Sequence, residues 1–313
     1  MKKFNQKHLL NLLDYSKNEI DEILKLSADL KQELKKGKKH HHLLDKTVAL
    51  IFAKSSTRTR VSFEQGVRQL GATPLFLSSS DIQLGRGETI HDTVKTLQRY
   101  NIDGIMIRTF KQSDVEELAV HGSIPIINGL TDDFHPCQAL ADIFTVYEKF
   151  GRLEGLKIAY FGDGNNVASS LMIAGAKMGM EVAVCGPKAN APKQEIVDKI
   201  NASVVGAGTD RPKIIITDNI DEAVKNASVI YTDVFFSMGQ EKDAKKEKEL
   251  MPFQVNAALM KKANKDAIFM HCLPAHREEE VTGEIIDGKQ SVVFDQAENR
   301  LHVQKAVMSL LMG

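Results

Sequence analysis

Short apolar runs alternate along this chain with longer segments in which apolar residues recur every three or four positions. In the first half the runs are "TVALIFA" from Thr47, "TPLFLS" from Thr73, "DGIMIRT" from Asp103 and "IPIING" from Ile124. Between them, "RVSFEQGVRQL", "TIHDTVKTLQRY" and "SDVEELAVH" carry the helical period. Continuous rather than alternating apolar runs mark strands buried on both faces, so the pattern predicts parallel sheets flanked by helices. A long helix is expected from Pro136, since proline suits the first helical turn, to about Phe150. After "GRLEG" a second series follows: "KIAYFG", "EVAVCG", "KIIITD", "SVIYTDV" and "AIFMHCL". The fold class is therefore α/β with two domains, 1–150 and 151–294, the first completed by a C-terminal helix of about 295–313. Open α/β sheets bind ligands at the carboxyl ends of their strands, which places the expected site in the cleft between the domains. The charged run "EKDAKKEKEL", Glu241 to Leu250, reads as a solvated, mobile loop.

Composition narrows the function. The 313 residues, 42% hydrophobic and 26% charged, are enough for two packed domains. The 41 basic residues are cancelled by 41 acidic ones, which argues against nucleic acid or an anionic membrane as partner. Cys137, Cys185 and Cys272 show no C-x-x-C spacing, which fits a reducing compartment rather than a disulfide framework. The N-terminal stretch is too polar for a signal peptide, and no apolar run reaches the length of a membrane span; a cytoplasmic protein is expected. His40, His41 and His42 are consecutive and point in different directions, so no metal site is expected there.

Candidate chemistry lies where runs end. In "AKSSTRTRVSFEQG", Ser56, Thr57, Arg58 and Thr59 stand between a strand and a helix, where hydroxyls, free amides and the macrodipole favour an anion such as phosphate. Arg58 and Arg60 lie about 200° apart on a helix, so Arg58 is assigned to the ligand and Arg60 to a structural or subunit pair. Gln83 sits in the loop "SSSDIQLGRGET", able to serve a neighbour's site. Arg108 ends a strand, and His135 and Gln138 flank Pro136 at a helix start, suited to a carbonyl and an amide. In the second domain the G-x-G of Gly162 and Gly164 lacks its third glycine, Val167 standing in that place, so a dinucleotide is not expected. Asn165 and Asn166 suit a small zwitterion and Asp233 an ammonium group. His271 neighbours Cys272 but is expected on the opposite strand face, which disfavours a thiolate nucleophile. Arg300 is expected to open the last helix and close on the anion.

Five motifs in order, "SSTRTR", "DIQLGRGETIHDT", "HPCQ", "DVFFSMGQE" and "HCLPAHR", resemble the transcarbamylase family, with "SMG" and "HCLP" similar to its ornithine branch. The resemblance implies transfer of a carbamoyl group from carbamoyl phosphate to the δ-amine of ornithine, without cofactor or metal, by a homotrimer. It implies that Ser56, Thr57, Arg58 and Thr59 bind the phosphate, Gln83 reaches a neighbouring subunit, and Arg108 and His135 contact the carbonyl oxygen. Pro136, Cys137, Gln138 and the Leu273 backbone would complete the carbamoyl phosphate site, with Gln138 and Leu273 on the amide. Asn166, Asp233, Ser237 and Met238 would bind ornithine's α-groups, Cys272 would lie beside its side-chain amine, and Arg300 would close on carbamoyl phosphate. Ala53, Phe235 and Glu278 depart from the family pattern without removing a ligand. The alternatives are a transcarbamylase for putrescine or acetylornithine, a phosphate-sensing or partner-binding protein without catalysis, and a nicotinamide-dependent dehydrogenase.

Overall fold

The computed structural model describes residues 4–204, 214–237, 239 and 241–313. The chain forms two compact units, residues up to Leu140 with Glu298–Gly313, and Ala141–Ala297.

In the first unit the order is α1 (Lys17–Lys35), β1 (Thr47–Phe52), α2 (Thr57–Gln69), β2 (Thr73–Ser78), α3 (Ile90–Arg99), β3 (Gly104–Arg108), α4 (Gln112–His121), β4 (Ile126–Leu130) and the start of α5 (Pro136–Phe150). The sheet is parallel with order β2-β1-β3-β4. Val48, Ala49, Leu50 and Ile51 of the central β1 are fully buried, as expected for a strand covered on both faces. Truncating Leu50 to alanine would cost about 2–5 kcal/mol. Helix α1 was not singled out by apolar pattern, yet it carries a capping box in which Ser16 and Glu19 satisfy each other's backbone amides.

The second unit continues with β5 (Lys157–Phe161), α6 (Asn166–Lys177), β6 (Glu181–Cys185), α7 (Gln194–Val204), β7 (Ile214–Thr217), α8 (Ile220–Val224), β8 (Val229–Thr232), α9 (Ala244–Leu250), α10 (Ala257–Met260), β9 (Ile268–His271), α11 (Gly283–Ile286) and α12 (Val293–Met312). Its sheet is also parallel, in the order β7-β6-β5-β8-β9. Both sheets thus reverse their winding once, at β1/β3 in the first unit and at β5/β8 in the second. These switch points open crevices at the carboxyl ends of the strands.

Two sequence expectations need correction. The run Glu241–Leu250 is not a loop through its length: α9 begins at Ala244, capped by Asp243 accepting the Lys245 amide, and its Leu250 is buried. Lysine and glutamate are good helix formers, so charge alone misled. Arg300 does not open the last helix but lies seven residues inside it: α12 starts at Val293, two residues before the expected start, with Asp295 in its first turn, where an acidic side chain suits the positive end. No helix among the described residues is long and apolar enough to cross a membrane.

Candidate functional site

The first half-site is built at the β1/β3 switch point. Phe52 and Arg108 are register partners, so the Ser56 loop and Arg108 emerge from adjacent strand ends. Ser56 caps α2 by accepting the Thr59 amide at 3.2 Å, and the first turn of α2 has no acidic residue to offset its positive end. Thr57 opens the helix, and Arg58 follows it, partly exposed. Thr59 is buried and its hydroxyl accepts from Arg300 Nη2 at 2.7 Å. The phosphate-type loop and the C-terminal helix are thereby tied together.

Arg108 and His135 are nearly buried, at 4% exposure each. Burial first, then the Arg300 and Arg108 guanidiniums, holds the His135 imidazole well below its ordinary pKa. A neutral ring among guanidiniums can donate to a developing oxyanion without losing a proton first. Pro136 starts α5, and the amide of Gln138 bonds back to the His135 carbonyl at 3.1 Å. Gln138 itself is buried. Cys137 is buried too; its thiol donates to the Asn128 carbonyl at 3.6 Å, and burial pushes it up to about 12, so only its backbone is suited to a ligand. Gln83 stands apart, exposed in a short 3-10 turn. Arg60 pairs with Glu64 at 2.9 Å and lies 3.7 Å over the Phe76 ring, a structural role as expected.

Sequence reasoning missed Lys54. Its ammonium pairs with Asp132 and sits 4.3 Å from the centre of the Phe110 ring, joining the loop before Ser56 to the turn before His135. That turn is closed by Thr131 and Phe134, whose amide donates to the Thr131 hydroxyl at 3.1 Å.

The second half-site lies at the β5/β8 switch point. Asp233 follows β8, is 6% exposed, and accepts from Asn165 Nδ2 at 2.9 Å and from the Cys272 thiol at 3.0 Å. Asn165 also caps α6 through the Val167 and Ala168 amides, while Asn166 is the first helical residue. The cap thus places Asp233, a role the sequence left undivided between two asparagines. Ser237 is partly buried; Met238 lies outside the described residues. Asp233, His271 and Cys272 each bring a donor atom within 4.8 Å of the others. Both ring nitrogens of His271 are nevertheless engaged elsewhere, with Glu280 at 3.1 Å and the Leu273 amide at 2.8 Å, so the ring is not placed as a base for Cys272.

The G-x-G glycines have backbone and packing reasons, since Gly162 takes φ +126° and Gly164 packs against another segment. A Cβ on Gly164 would meet the Pro192 nitrogen at 2.4 Å. A cavity of about 240 Å³ beside Gly162, Gly186, Ile216 and Asp218 is lined by none of the expected ligand residues.

Fold and geometry define an α/β protein with a guanidinium-rich anion site on one unit and a carboxylate–thiol cluster on the other. Residues 7–148 match the family profile "Aspartate/ornithine carbamoyltransferase, carbamoyl-P binding domain", and residues 154–311 match its "Asp/Orn binding domain". The chain belongs to the aspartate/ornithine carbamoyltransferase family. It is 55% identical to an ornithine carbamoyltransferase of Oceanobacillus iheyensis, over 97% of this chain and 94% of that protein. The corresponding protein of Bacillus subtilis is 53% identical over 98% and 94%. Among solved structures, ornithine carbamoyltransferase from Pyrococcus furiosus superposes with TM-score 0.94 at 49% identity, covering 100% of this chain and 99% of that one. Anabolic ornithine carbamoyltransferase from Campylobacter jejuni gives 0.89 at 38%, covering 98% and 99%.

Proposed function

We propose that the protein transfers the carbamoyl group of carbamoyl phosphate to the δ-amine of L-ornithine, giving L-citrulline and phosphate, in the biosynthetic direction and in the cytoplasm. One observation carries the reading. The unit matching the carbamoyl phosphate-binding profile holds a neutral His135 beside Arg108 and Arg300, with Arg300 bonded to Thr59 of the anion loop.

In this mechanism the neutral δ-amine attacks the carbonyl carbon. The new C–N bond forms, the C–O bond to phosphate breaks, and the attacking nitrogen gives up its proton to the departing phosphate. Negative charge grows on the carbonyl oxygen, where Thr59, Arg108 and His135 stabilise it. The leaving phosphate is held by Ser56, Thr57, Arg58 and Arg300. Gln138 and the Leu273 carbonyl hold the carbamoyl amide, with the Pro136 and Cys137 backbone shaping that turn. Asp233 pairs with the α-ammonium, Asn166, Ser237 and Met238 bind the remaining α-groups, and Cys272 lies beside the δ-amine. Fixing two small substrates in attacking geometry supplies effective molarities of about 10⁵ M or more.

Gln83 reaches the site of an adjacent subunit in a homotrimer. Its exposure in a short turn, and the exposed Val61 and Leu75, are what such a contact would cover. Relatives titled ornithine carbamoyltransferase, one of them anabolic, support the substrate and the direction.

The test is a citrulline-type assay on purified protein with ornithine, putrescine and acetylornithine in parallel. Ornithine alone should turn over efficiently, because putrescine has no α-groups and acetylation removes the charge that Asp233 pairs with. Preference for either other amine, or carbamoyl phosphate binding without product, overturns the reading.

A further inference from the structure

We propose that the buried His271–Glu280 pair is a positioning device for the Leu273 peptide. The inference rests on the carbamoyl-transfer reading, in which the Leu273 carbonyl takes the carbamoyl amide.

His271 ends β9, and both it and Glu280 are fully buried. His271 Nδ1 accepts the Leu273 amide at 2.8 Å. A nitrogen that accepts an N–H carries no proton of its own, so the ring proton sits on Nε2, which donates to Glu280 Oε1 at 3.1 Å. The same Oε1 accepts the His276 amide at 2.6 Å, and Oε2 lies 3.8 Å from His276 Nδ1. Burial alone would raise the Glu280 carboxyl; the bonds from His271 and the His276 backbone outweigh it and hold the carboxyl below its ordinary value. Glu280 therefore fixes the tautomer, and the tautomer supplies the acceptor that Leu273 needs.

Leu273 needs it because its φ is +59°, in the left-handed region that residues with a Cβ seldom adopt. The arrangement is that of an Asx turn, a side chain accepting the amide two residues on, built with a longer side chain. On the other side of Cys272, the His271 amide donates to Gln296 Oε1 at 3.0 Å, and Gln296 is itself held by Asp142 and Tyr231. The peptide that enters His271 and the peptide that leaves Cys272 are thus both tied. Without the ring, the Cys272–Leu273 peptide is free to turn, the φ of Leu273 is released from +59°, and the Leu273 carbonyl in the next peptide loses the direction that φ gives it.

The test compares His271→Leu, His271→Asn and Glu280→Gln with the unaltered enzyme by steady-state citrulline formation. A misplacement on the ångström scale costs about a hundredfold, so His271→Leu should lower kcat/KM for carbamoyl phosphate by about that factor while KM for ornithine stays within about threefold. His271→Asn, whose short side chain can still make the Asx turn, should recover about tenfold of the loss. Glu280→Gln keeps the shape but not the charge and should lose about tenfold, since charge-assisted bonds are roughly twice as strong as neutral ones. In ¹⁵N-histidine NMR the His271 ring, assigned by its loss in His271→Asn, should show the Nε2-protonated tautomer. A folded His271→Leu with nearly unaltered kinetics, or an Nδ1-protonated ring, overturns the proposal. If His271→Leu does not fold, full activity in Glu280→Gln overturns it instead. If the unaltered protein makes no citrulline, the carbamoyl-transfer reading itself has failed, a result distinct from any of these.

Discussion

Arg58 is the second residue of α2, two positions after a serine cap and just ahead of a threonine already bonded to Arg300. A planar guanidinium can give a phosphate two parallel bonds from that position; an ammonium cannot. Arg58→Lys should lower turnover at least about a hundredfold, about 2.7 kcal/mol of transition-state stabilisation, and near-normal citrulline formation would remove Arg58 from the clamp. Asp233 presents one oxygen to Asn165 and the other to Cys272. Asp233→Asn keeps a hydrogen-bonding shape but loses the charge that an α-ammonium would meet. The ornithine concentration for half-saturation should rise at least about tenfold, as expected for a lost charge-assisted bond, with carbamoyl phosphate saturation little changed. Titrating each substrate separately checks this. At this scale the sequence was legible wherever one residue's chemistry and its place at a strand end coincided. Lys54, Glu280 and the bond of Asn165 to Asp233 were not, because each rests on a partner: Asp132, His271 and Asp233 lie 78, 9 and 68 positions away.

At the scale of elements, the anion loop depends on how α2 begins. Ser56 satisfies the Thr59 amide, and no acidic side chain in the first turn competes for the positive end. Ser56→Ala should cost about 1 kcal/mol of stability through the lost cap and raise KM for carbamoyl phosphate. Urea unfolding beside kinetics separates the two effects, and an unchanged urea midpoint would deny the capping role. All nine expected strands are present, since parallel strands covered on both faces must be apolar throughout. The errors lay where composition and position disagree. A charged run became α9 because Asp243 caps it, and the valines before Phe294 opened α12 because packing overrode their strand preference.

For the whole molecule, stability should depend on pH through Lys305. It is fully buried, donating to Gln69 at 2.9 Å beside His40, and burial drives its ammonium down to about 8 against the opposing pull of Glu33. Between pH 8 and the ordinary lysine value of 10.5, the unfolded chain binds a proton that the folded protein has lost. The Lys305 contribution to stability therefore rises with pH across that window, by up to about 1.4 kcal/mol per unit, and its full penalty is present below it. Buried Cys137 and Cys185, pushed up from 9.0 to about 12, oppose this from about pH 9. Buried Tyr15, Tyr160 and Tyr231, whose phenols burial raises, oppose it from about pH 10, so the Lys305 part is read as a difference from a variant without it. Urea midpoints from pH 8 to 10 should climb in the unaltered protein relative to Lys305→Met; parallel curves would refute the assignment. The same helix has a consequence for how the protein is made. Residues 298–313 belong to the unit that the first 140 residues begin, and Lys31, Thr59 and Gln69 wait for Asn299, Arg300 and Lys305 to bond with them. On the ribosome the second unit can mature while the first is still short of its closing piece. The unit begun first is then completed only once residues 298–313 have emerged, and a chain truncated before residue 298 loses the bonds that Asn299, Arg300 and Lys305 give that unit.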